Sequence, residues 1–255
     1  MTGPLRREIR LYFTAQTFLS RLPAPAWAGY RPGELGAASR YFPLVGAVLG
    51  GLAGLVWLGA VAATGLPALA AGLAIGALIL LTGGLHEDGL ADCCDGLGGA
   101  RDKTRVLEIM RDSRVGAYGV IGLVVVIGLR WAALVEQPLT QGAVCIILAA
   151  MIGRAAMLIP MATLDYARTD GAARDASNGV GPADLTIAFA FTLAATALAA
   201  WLIGVIAFVA LAASVVATLI WTRQLRRRLN GYTGDGLGAA EQIAHTTALI
   251  ALASR

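Results

Sequence analysis

Apolar windows separated by short polar connections follow one another along this chain. Six of them are about 20 residues long, which is the length that an α-helix needs to cross a bilayer. Helices are expected because a membrane β-barrel would need strands that alternate polar and apolar residues, and these windows lack that alternation. A seventh window is shorter and leaves three alternatives open: a further crossing, a half-helix or a surface helix. The windows are 41–63, 66–81, 117–135, 142–163, 185–202, 204–221 and the shorter 239–253.

Composition supports a membrane protein. The chain has 255 residues, of which 57% are hydrophobic and only 14% are charged, and its mean hydropathy is +0.70. Soluble domains carry about 25% charged residues, so a soluble, disordered or collagen-like protein is excluded. The cysteines, Cys93, Cys94 and Cys145, are an odd number and two are adjacent, which argues against a disulfide framework. We predict an all-α, polytopic transmembrane helical bundle of six to seven spans, forming a single integral membrane domain over 1–255.

The distribution of lysine and arginine predicts the orientation of this bundle. Six basic residues precede the first window, five lie between the second and third, two follow the fourth and four follow the sixth, whereas the alternate connections carry none. Six crossings with every long connection in the cytoplasm satisfy the positive-inside rule. We therefore expect a multi-pass protein of the cytoplasmic (inner) membrane. The net charge of +4 then reports topology, and no nucleic-acid partner is expected.

Three polar regions should lie on the cytoplasmic side of this membrane domain. Residues 1–40 form an N-terminal cytoplasmic or interfacial region that begins with an amphipathic segment on the membrane surface. Residues 82–119 contain 12 of the 36 charged side chains and are the expected catalytic segment. Residues 222–242 form a second cytoplasmic loop.

The strongest local signal is the acidic motif that follows the second window. If the helix continues, Asp88, Asp92 and Asp95 fall within an arc of about 60°. Glu87 lies beside that stripe and His86 one step further round. Like charges on one stripe repel each other unless a cation lies between them, and carboxylate oxygens suit Mg²⁺ or Mn²⁺. We therefore predict a divalent-metal site; a solvated acidic helix end is the alternative.

A basic segment follows the acidic motif. Guanidinium groups bind phosphate bidentately, and Arg111 and Arg114 are candidates for this role, although the positive-inside bias would also place arginines here. Carboxylates followed by arginines at one membrane face indicate phosphoryl transfer, in which positioning and charge neutralisation supply most of the catalysis. The residues that would share one side of a helix in this segment are Arg101, Arg105, Glu108 and Asp112.

Two weaker features complete the candidate chemistry. The glycine-rich stretch 231–238 contains Asp235, and its backbone amides could cradle a phosphate, although such loops are usually turns. Arg154 is an intramembrane charge and hence a functional candidate, with an internal ion pair as its alternative role. Arg130, beside Trp131 near the far end of its window, is expected to be an interfacial anchor.

Five motifs, in this order, resemble the cobalamin synthase family, the integral membrane adenosylcobinamide-GDP ribazoletransferases. The similarity extends from about residue 18 to residue 240 and is densest over 82–119. The motifs are Phe-Leu-Ser-Arg-Leu-Pro at 18–23, Tyr-Phe-Pro-Leu-Val-Gly at 41–46, the acidic motif at 86–96, Leu-Glu-Ile-Met-Arg-Asp-Ser-Arg-Val-Gly at 107–116 and Thr-Gly-Asp-Gly-Leu-Gly-Ala-Ala at 233–240.

The resemblance implies a reaction of cobalamin biosynthesis. A ribose hydroxyl of α-ribazole, or of its 5′-phosphate, attacks the cobinamide-linked phosphate of adenosylcobinamide-GDP. GMP leaves, and adenosylcobalamin or its 5′-phosphate forms, with Mg²⁺ required. By this mapping Asp88, Asp92 and Asp95 are metal ligands, and Glu87 supports them. His86 or one of the acids would receive the proton from the attacking hydroxyl.

The same mapping assigns the remaining polar residues. Arg105, Arg111 and Arg114 would hold phosphates, together with Arg154 if it is not internally paired. Asp112 would orient these phosphates or assist the metal. Asp235 would complete the site from the other end of the chain.

The chain departs from the family pattern in two places. Residues 170–174 replace a common Gly-Leu-Gly, and Gln242 and His245 stand where the family often has glutamates. Both departures put the roles of those segments in doubt, not that of the acidic motif.

Two other functions compete. A CDP-alcohol phosphotransferase would use similar chemistry, but its Asp pattern is not matched after Asp95. A cation transporter would place its acids near mid-membrane, in repeated halves. The expected partners are the two substrates and the lipid bilayer, while a homo-oligomer and a complex with other cobalamin-assembly enzymes both stay open.

Overall fold

The computed structural model describes residues 3–28, 33–168 and 180–254. These residues form an all-α fold in which the only β pairing within the described ranges is an isolated bridge between Tyr166 and Tyr232. Arg31, Arg174 and the divergent segment 170–174 lie outside the described residues. The helices are α1 (Pro4–Leu19), α2 (Leu35–Ala38), α3 (Phe42–Thr64), α4 (Pro67–Thr82), α5 (Leu85–Gly99), α6 (Lys103–Ile109), α7 (Ala117–Val135), α8 (Gly142–Ala156), α9 (Leu158–Thr163), α10 (Pro182–Ile203), α11 (Ile206–Leu229) and α12 (Gly234–Ala253).

The multi-pass helical bundle predicted from the apolar windows is confirmed. Within the described ranges, five straight helical segments are long and apolar enough to cross a membrane, and the bent pair α4 and α5 would be a sixth. The ends of the helices lie close to the predicted windows, except that α11 continues past its window and α12 begins before its window, because hydropathy reports the length of backbone that lipid must cover. The five straight segments are Leu35–Thr64, Ala117–Val135, Gly142–Thr163, Pro182–Ile203 and Ile206–Leu229.

A sharp turn separates α4 from α5. The two helices are bent by 89° at Gly83 and Gly84, whose φ angles are +71° and +74°. Only glycine adopts this left-handed conformation without a steric penalty, so two consecutive glycines allow the chain to turn by about a right angle between the two helices. The acidic motif is helical, as expected, but its helix leaves the axis of the second window.

The last helix, α12, lies at the centre of the bundle. Thirteen of its 20 residues are buried, and it packs against α5, α7, α8 and α11. Its many glycines and alanines allow this close packing on several sides. A surface helix, one of the three alternatives for this segment, is therefore wrong.

Two polar regions differ from the sequence expectation. Residues 222–242 are not a loop, because α11 continues to Leu229 and α12 begins at Gly234. The hydropathy window ends where the arginines begin, but the backbone hydrogen bonds of the helix continue to Leu229. The basic segment is helical only over Lys103–Ile109, so Asp112 lies beyond the helix and does not share its side with Arg105.

Candidate active site

The acidic motif is held against the start of α12 by glycine contacts. A Cβ added to Gly89 would lie 2.9 Å from the backbone Cα and carbonyl oxygen of Asp235, and one added to Gly238 would lie 3.3 Å from the Cα of His86. At this α5–α12 crossing the backbones of the two helices therefore lie in close contact. As a result, Asp92 lies within electrostatic range of Asp235 and Asp88.

Asp235 is fixed by an ion pair from outside α12. Its Oδ2 atom accepts a hydrogen bond from Nη2 of Arg168 at 2.7 Å. The backbone next to Arg168 is itself anchored, because the amide of Ala167 donates to the carbonyl of Tyr232 at 2.8 Å and the amide of Tyr232 donates to the carbonyl of Asp165 at 2.9 Å. Burial raises the pKa of Asp235, and the guanidinium of Arg168 opposes that rise.

The glycine-rich stretch is the beginning of α12 rather than an open loop. The hydroxyl of Thr233 accepts a hydrogen bond from the amide of Gly236 at 3.0 Å and caps the helix. One of the amides that could have bound a phosphate is therefore already satisfied. The chemical contribution of this stretch is the carboxylate of Asp235.

Two cavities meet at the acidic motif, and Asp88, Phe18 and Leu85 border both of them. The smaller cavity has a volume of about 210 Å³ and the larger about 660 Å³. The smaller one is also lined by His86, Met157, Tyr166, Arg168, Gly234, Asp235, Leu237 and Gly238. The larger one is also lined by Thr17, Ser20, Thr82, Gly83, Gly84, Glu87, Ala91, Val115 and Leu123.

Asp95 has a different environment from Asp88 and Asp92. Its two carboxylate oxygens accept hydrogen bonds from the amides of Gly116, at 2.7 Å, and Gly119, at 2.9 Å. These amides belong to the first turn of α7, where a carboxylate satisfies free donors and interacts favourably with the helix dipole. The arrangement favours a structural role for Asp95 in joining α5 to α7.

Glu87 contacts side chains of α12 and α7. Its Oε1 atom accepts a hydrogen bond from the side chain of Gln242 at 2.9 Å and lies 3.8 Å from Nη1 of Arg130. Arg130 is only 3% exposed and donates to the hydroxyl of Thr246 at 2.9 Å, so its expected role as an interfacial anchor is wrong. The sequence position near the end of a window did not reveal that α12 packs on this part of α7.

Arg154 forms the internal ion pair that was the alternative to a phosphate contact. Its Nη1 atom lies 2.8 Å from Oε1 of Glu241, and the two residues are 2% and 1% exposed. Nδ1 of His245 lies 3.1 Å from the same oxygen. Sequence reasoning missed Glu241, although a carboxylate inside an apolar window is a signal for a buried partner of opposite charge.

His86 is the one predicted site residue that is fully enclosed beside a cavity. It is 1% exposed and lines the smaller cavity. Its ring Nε2 atom has no hydrogen-bond partner among the described residues. A buried ring nitrogen without a partner carries a desolvation penalty, which a bound ligand could relieve.

The basic segment lies at the surface next to α5. Arg105 pairs with Glu108 at 2.9 Å, and Arg114 pairs with Asp112 at 2.6 Å. Hydrogen bonds from Arg114 lower the pKa of Asp112 to about 2. Arg111 is also exposed, and within the described ranges none of the three arginines lines either cavity. Val115, at the end of this segment, lines the larger cavity, so the segment reaches the edge of that cavity.

Comparison with known proteins decides the family. Residues 11–253 match the family model described as cobalamin-5-phosphate synthase. The chain belongs to the cobalamin-5-phosphate synthase family. Its relatives include proteins named adenosylcobinamide-GDP ribazoletransferase from Leptothrix cholodnii (43% identical, covering 96% of each chain), Allorhizobium ampelinum (42% identical, 92% of this chain and 93% of the relative) and Sinorhizobium medicae (40% identical, 92% and 93%). No solved structure matches.

Membership of the cobalamin-5-phosphate synthase family confirms the resemblance and the enzyme class, a transferase. It also counts against the two competing functions, a CDP-alcohol phosphotransferase and a cation transporter. The acidic motif that suggested the family is the part of the chain that lies between the two cavities.

The donor set of this family member suits a magnesium ion that is shared with substrate. No three histidine, cysteine, aspartate or glutamate side chains within the described ranges converge into a metal cage. Mg²⁺ usually binds through one or two carboxylates, with waters and substrate phosphates completing its octahedron. Asp88 and Asp92, one helical turn apart and facing Asp235, fit that pattern. Asp95 and Glu87, which are engaged elsewhere, fit it less well.

Proposed function

We propose that this protein joins adenosylcobinamide-GDP to α-ribazole, or to its 5′-phosphate, in a Mg²⁺-dependent reaction that releases GMP. The observation that carries the proposal is the placement of Asp88 between two cavities, with Asp92 and Asp235 in electrostatic range of one another. Two substrates must meet at one phosphorus atom, and the α5–α12 crossing offers a carboxylate cluster at the junction of two binding spaces.

The reaction forms one bond and breaks one. The oxygen of a ribose hydroxyl bonds to the cobinamide-linked phosphorus, and the bond from that phosphorus to the bridging oxygen of the pyrophosphate breaks. GMP departs with the bridging oxygen and its negative charge. The hydroxyl proton passes to a base, for which His86 and Asp88 are the candidates because both border the smaller cavity.

The proposed roles of the charged side chains follow from their positions. Asp88 and Asp92 would hold Mg²⁺ together with substrate phosphates, and the ion when bound neutralises charge on the pyrophosphate and the departing GMP. Asp235, which is paired with Arg168, would add negative charge beside this ion. Arg105, Arg111 and Arg114 line neither cavity, but they belong to the segment that ends at Val115 of the larger cavity, and we assign them the contacts to the phosphates of adenosylcobinamide-GDP. Asp112 would keep Arg114 in position. Asp95 and Glu87 would hold α5 in place against α7 and α12.

We also infer that the protein lies in the inner membrane with its active site facing the cytoplasm. The distribution of basic residues supports this orientation, because the acidic motif belongs to a connection rich in arginine and lysine.

The direct test is GMP release by the full chain in membranes. Adenosylcobinamide-GDP, α-ribazole and Mg²⁺ together should yield GMP and adenosylcobalamin in equal amounts, and a chelator should stop the release. Undiminished release with chelator present would refute the metal dependence, and no release under any condition would refute the transfer. In liposomes without substrates, a flux of divalent cations would instead favour the transporter.

A further inference from the structure

The smaller cavity contains polar groups that the fold itself does not satisfy. Nε of Arg168 and Nε2 of His86 are buried and have no hydrogen-bond partner among the described residues. Both residues line this cavity. Buried donors and ring nitrogens are almost always paired in folded proteins, so two unpartnered nitrogens on residues that line one cavity indicate a ligand that supplies oxygen atoms.

Arg168 is arranged to bind an anion in this space. One of its terminal nitrogens, Nη2, is already occupied by Asp235 at 2.7 Å, which fixes the orientation of the guanidinium plane. The unpartnered Nε leaves a donor edge for a second acceptor, and a phosphate can engage that edge. The side chain is 13% exposed, so such a contact would be made in a largely desolvated environment.

The volumes of the two cavities restrict what each can hold. About 210 Å³ is below the range of about 300–1,000 Å³ that encloses a drug-sized ligand, so the smaller cavity accommodates only part of a nucleotide. The larger cavity, at about 660 Å³, is within that range. A ribosyl phosphate is the part of the nucleophile that combines small size, several oxygens and negative charge.

We propose that the smaller cavity binds the ribosyl 5′-phosphate end of the nucleophile, and that Arg168 is the residue that recognises its phosphate. This inference rests on the proposed function and extends it by assigning a subsite. The ribose then lies beside Asp88, where its hydroxyl can reach the phosphorus held in the larger cavity. His86 supplies a polar contact to the ribosyl oxygens on the opposite wall.

The test compares two nucleophiles, α-ribazole 5′-phosphate and α-ribazole, with the purified full chain. The measured quantity is the kcat/KM for α-ribazole 5′-phosphate divided by the kcat/KM for α-ribazole, both from GMP release at saturating adenosylcobinamide-GDP. Arg168→Gln should lower this ratio by about 10- to 100-fold, the effect of losing a hydrogen bond to a charged group. Most of the loss should appear as a higher KM for the phosphorylated nucleophile.

Two variants control for indirect effects. Arg223→Ala removes an exposed arginine of α11 that lines neither cavity, and it should leave the ratio unchanged. Asp235→Asn removes the negative charge beside Arg168 but keeps an amide oxygen that can accept the hydrogen bond from Nη2, so it should slow both nucleophiles and change the ratio by less than about 3-fold.

The outcomes separate the subsite from the function. If Arg168→Gln slows both nucleophiles equally, Arg168 only supports Asp235 and the subsite is refuted while the proposed function stands. If the unmodified protein releases no GMP with either nucleophile, the proposed function fails and the subsite with it. A fall in the ratio confined to Arg168→Gln supports both.

Discussion

Asp92 and Asp95 lie less than one helical turn apart on α5, yet their surroundings differ. Asp92 faces Asp235 and Asp88, whereas both oxygens of Asp95 bind amides at the start of α7. Because Asp92 lies in a cluster of like charges, its carboxylate suits binding of a cation. Because Asp95 accepts two amide hydrogen bonds, its carboxylate stabilises the packing of α5 on α7. The helical periodicity of the sequence placed both on one stripe and could not distinguish them.

This difference predicts opposite effects for two matched substitutions. Asp92→Asn should lower GMP release by about 10²-fold or more with little change in thermal stability, because charge stabilisation of the transferred phosphate is lost. Asp95→Asn should retain measurable turnover but lose about 1–3 kcal/mol of stability, because an amide of α7 loses a charged acceptor. Initial rates and thermal unfolding of both variants in one detergent test this, and interchanged results would contradict it.

Asp112 yields a prediction about pH. Arg114 lowers the pKa of Asp112 to about 2, so the carboxylate stays ionised throughout the pH range in which the protein can be assayed. Because the folded pKa is below the unfolded value of about 3.9, its contribution to stability is present above that value and is lost only as pH falls toward 2. Asp112→Asn should therefore leave the acidic limb of the pH–rate profile between pH 5 and 7 at the same midpoint. A shift of that limb by about one pH unit would show that Asp112 titrates in the reaction.

At the scale of helices, the α5–α12 crossing depends on Gly89. An added Cβ would lie 2.9 Å from two backbone atoms of Asp235, which cannot move aside as a flexible side chain would. Gly89→Ala should therefore separate α5 from α12, destabilise the protein by about 1–3 kcal/mol and lower GMP release. Thermal unfolding and initial rates measure the two effects.

A glycine on α4 provides the matched control for this crossing. A Cβ on Gly76 would meet no heavy atom within 4 Å among the described residues. Gly76→Ala should be neutral or slightly stabilising, since alanine is the better helix former by about 0.5–1 kcal/mol. Equal effects of the two substitutions would contradict a specific role for the crossing.

The elements themselves were largely predictable, but their directions were not. Hydropathy located the helices because lipid demands long apolar stretches with internally paired backbones. It could not show that α5 turns by 89° from α4, since the turn depends on the φ angles of Gly83 and Gly84. It also could not place α12 in the centre, because that depends on which helices surround it.

At the scale of the whole molecule, a buried ionic network joins four helices. Glu241 on α12 lies 2.8 Å from Arg154 on α8 and 3.7 Å from Arg130 on α7, and Arg130 is 3.8 Å from Glu87 on α5. The network lies next to the α5–α12 crossing. Its members are far apart in sequence, so no local pattern could have revealed them, although each charge inside an apolar window required a partner.

Glu241 is the centre of this network, and its removal tests it. Glu241→Gln leaves Arg154 buried without a carboxylate, so we expect a loss of about 3–5 kcal/mol of stability. The control is Glu108→Gln, which breaks the exposed pair with Arg105 and should cost no more than about 1 kcal/mol. Thermal unfolding of both variants gives the comparison, and similar losses would contradict the structural role of Glu241.

The measurement that tests the central claim most directly is Mn²⁺ binding followed by electron paramagnetic resonance. Mn²⁺ replaces Mg²⁺ at carboxylate sites and reports binding without turnover. With adenosylcobinamide-GDP present and no nucleophile, the full chain should bind Mn²⁺ at saturable sites that Asp92→Asn abolishes and Asp95→Asn preserves. Binding that is unchanged in Asp92→Asn would contradict a divalent cation held by the carboxylates at the α5–α12 crossing.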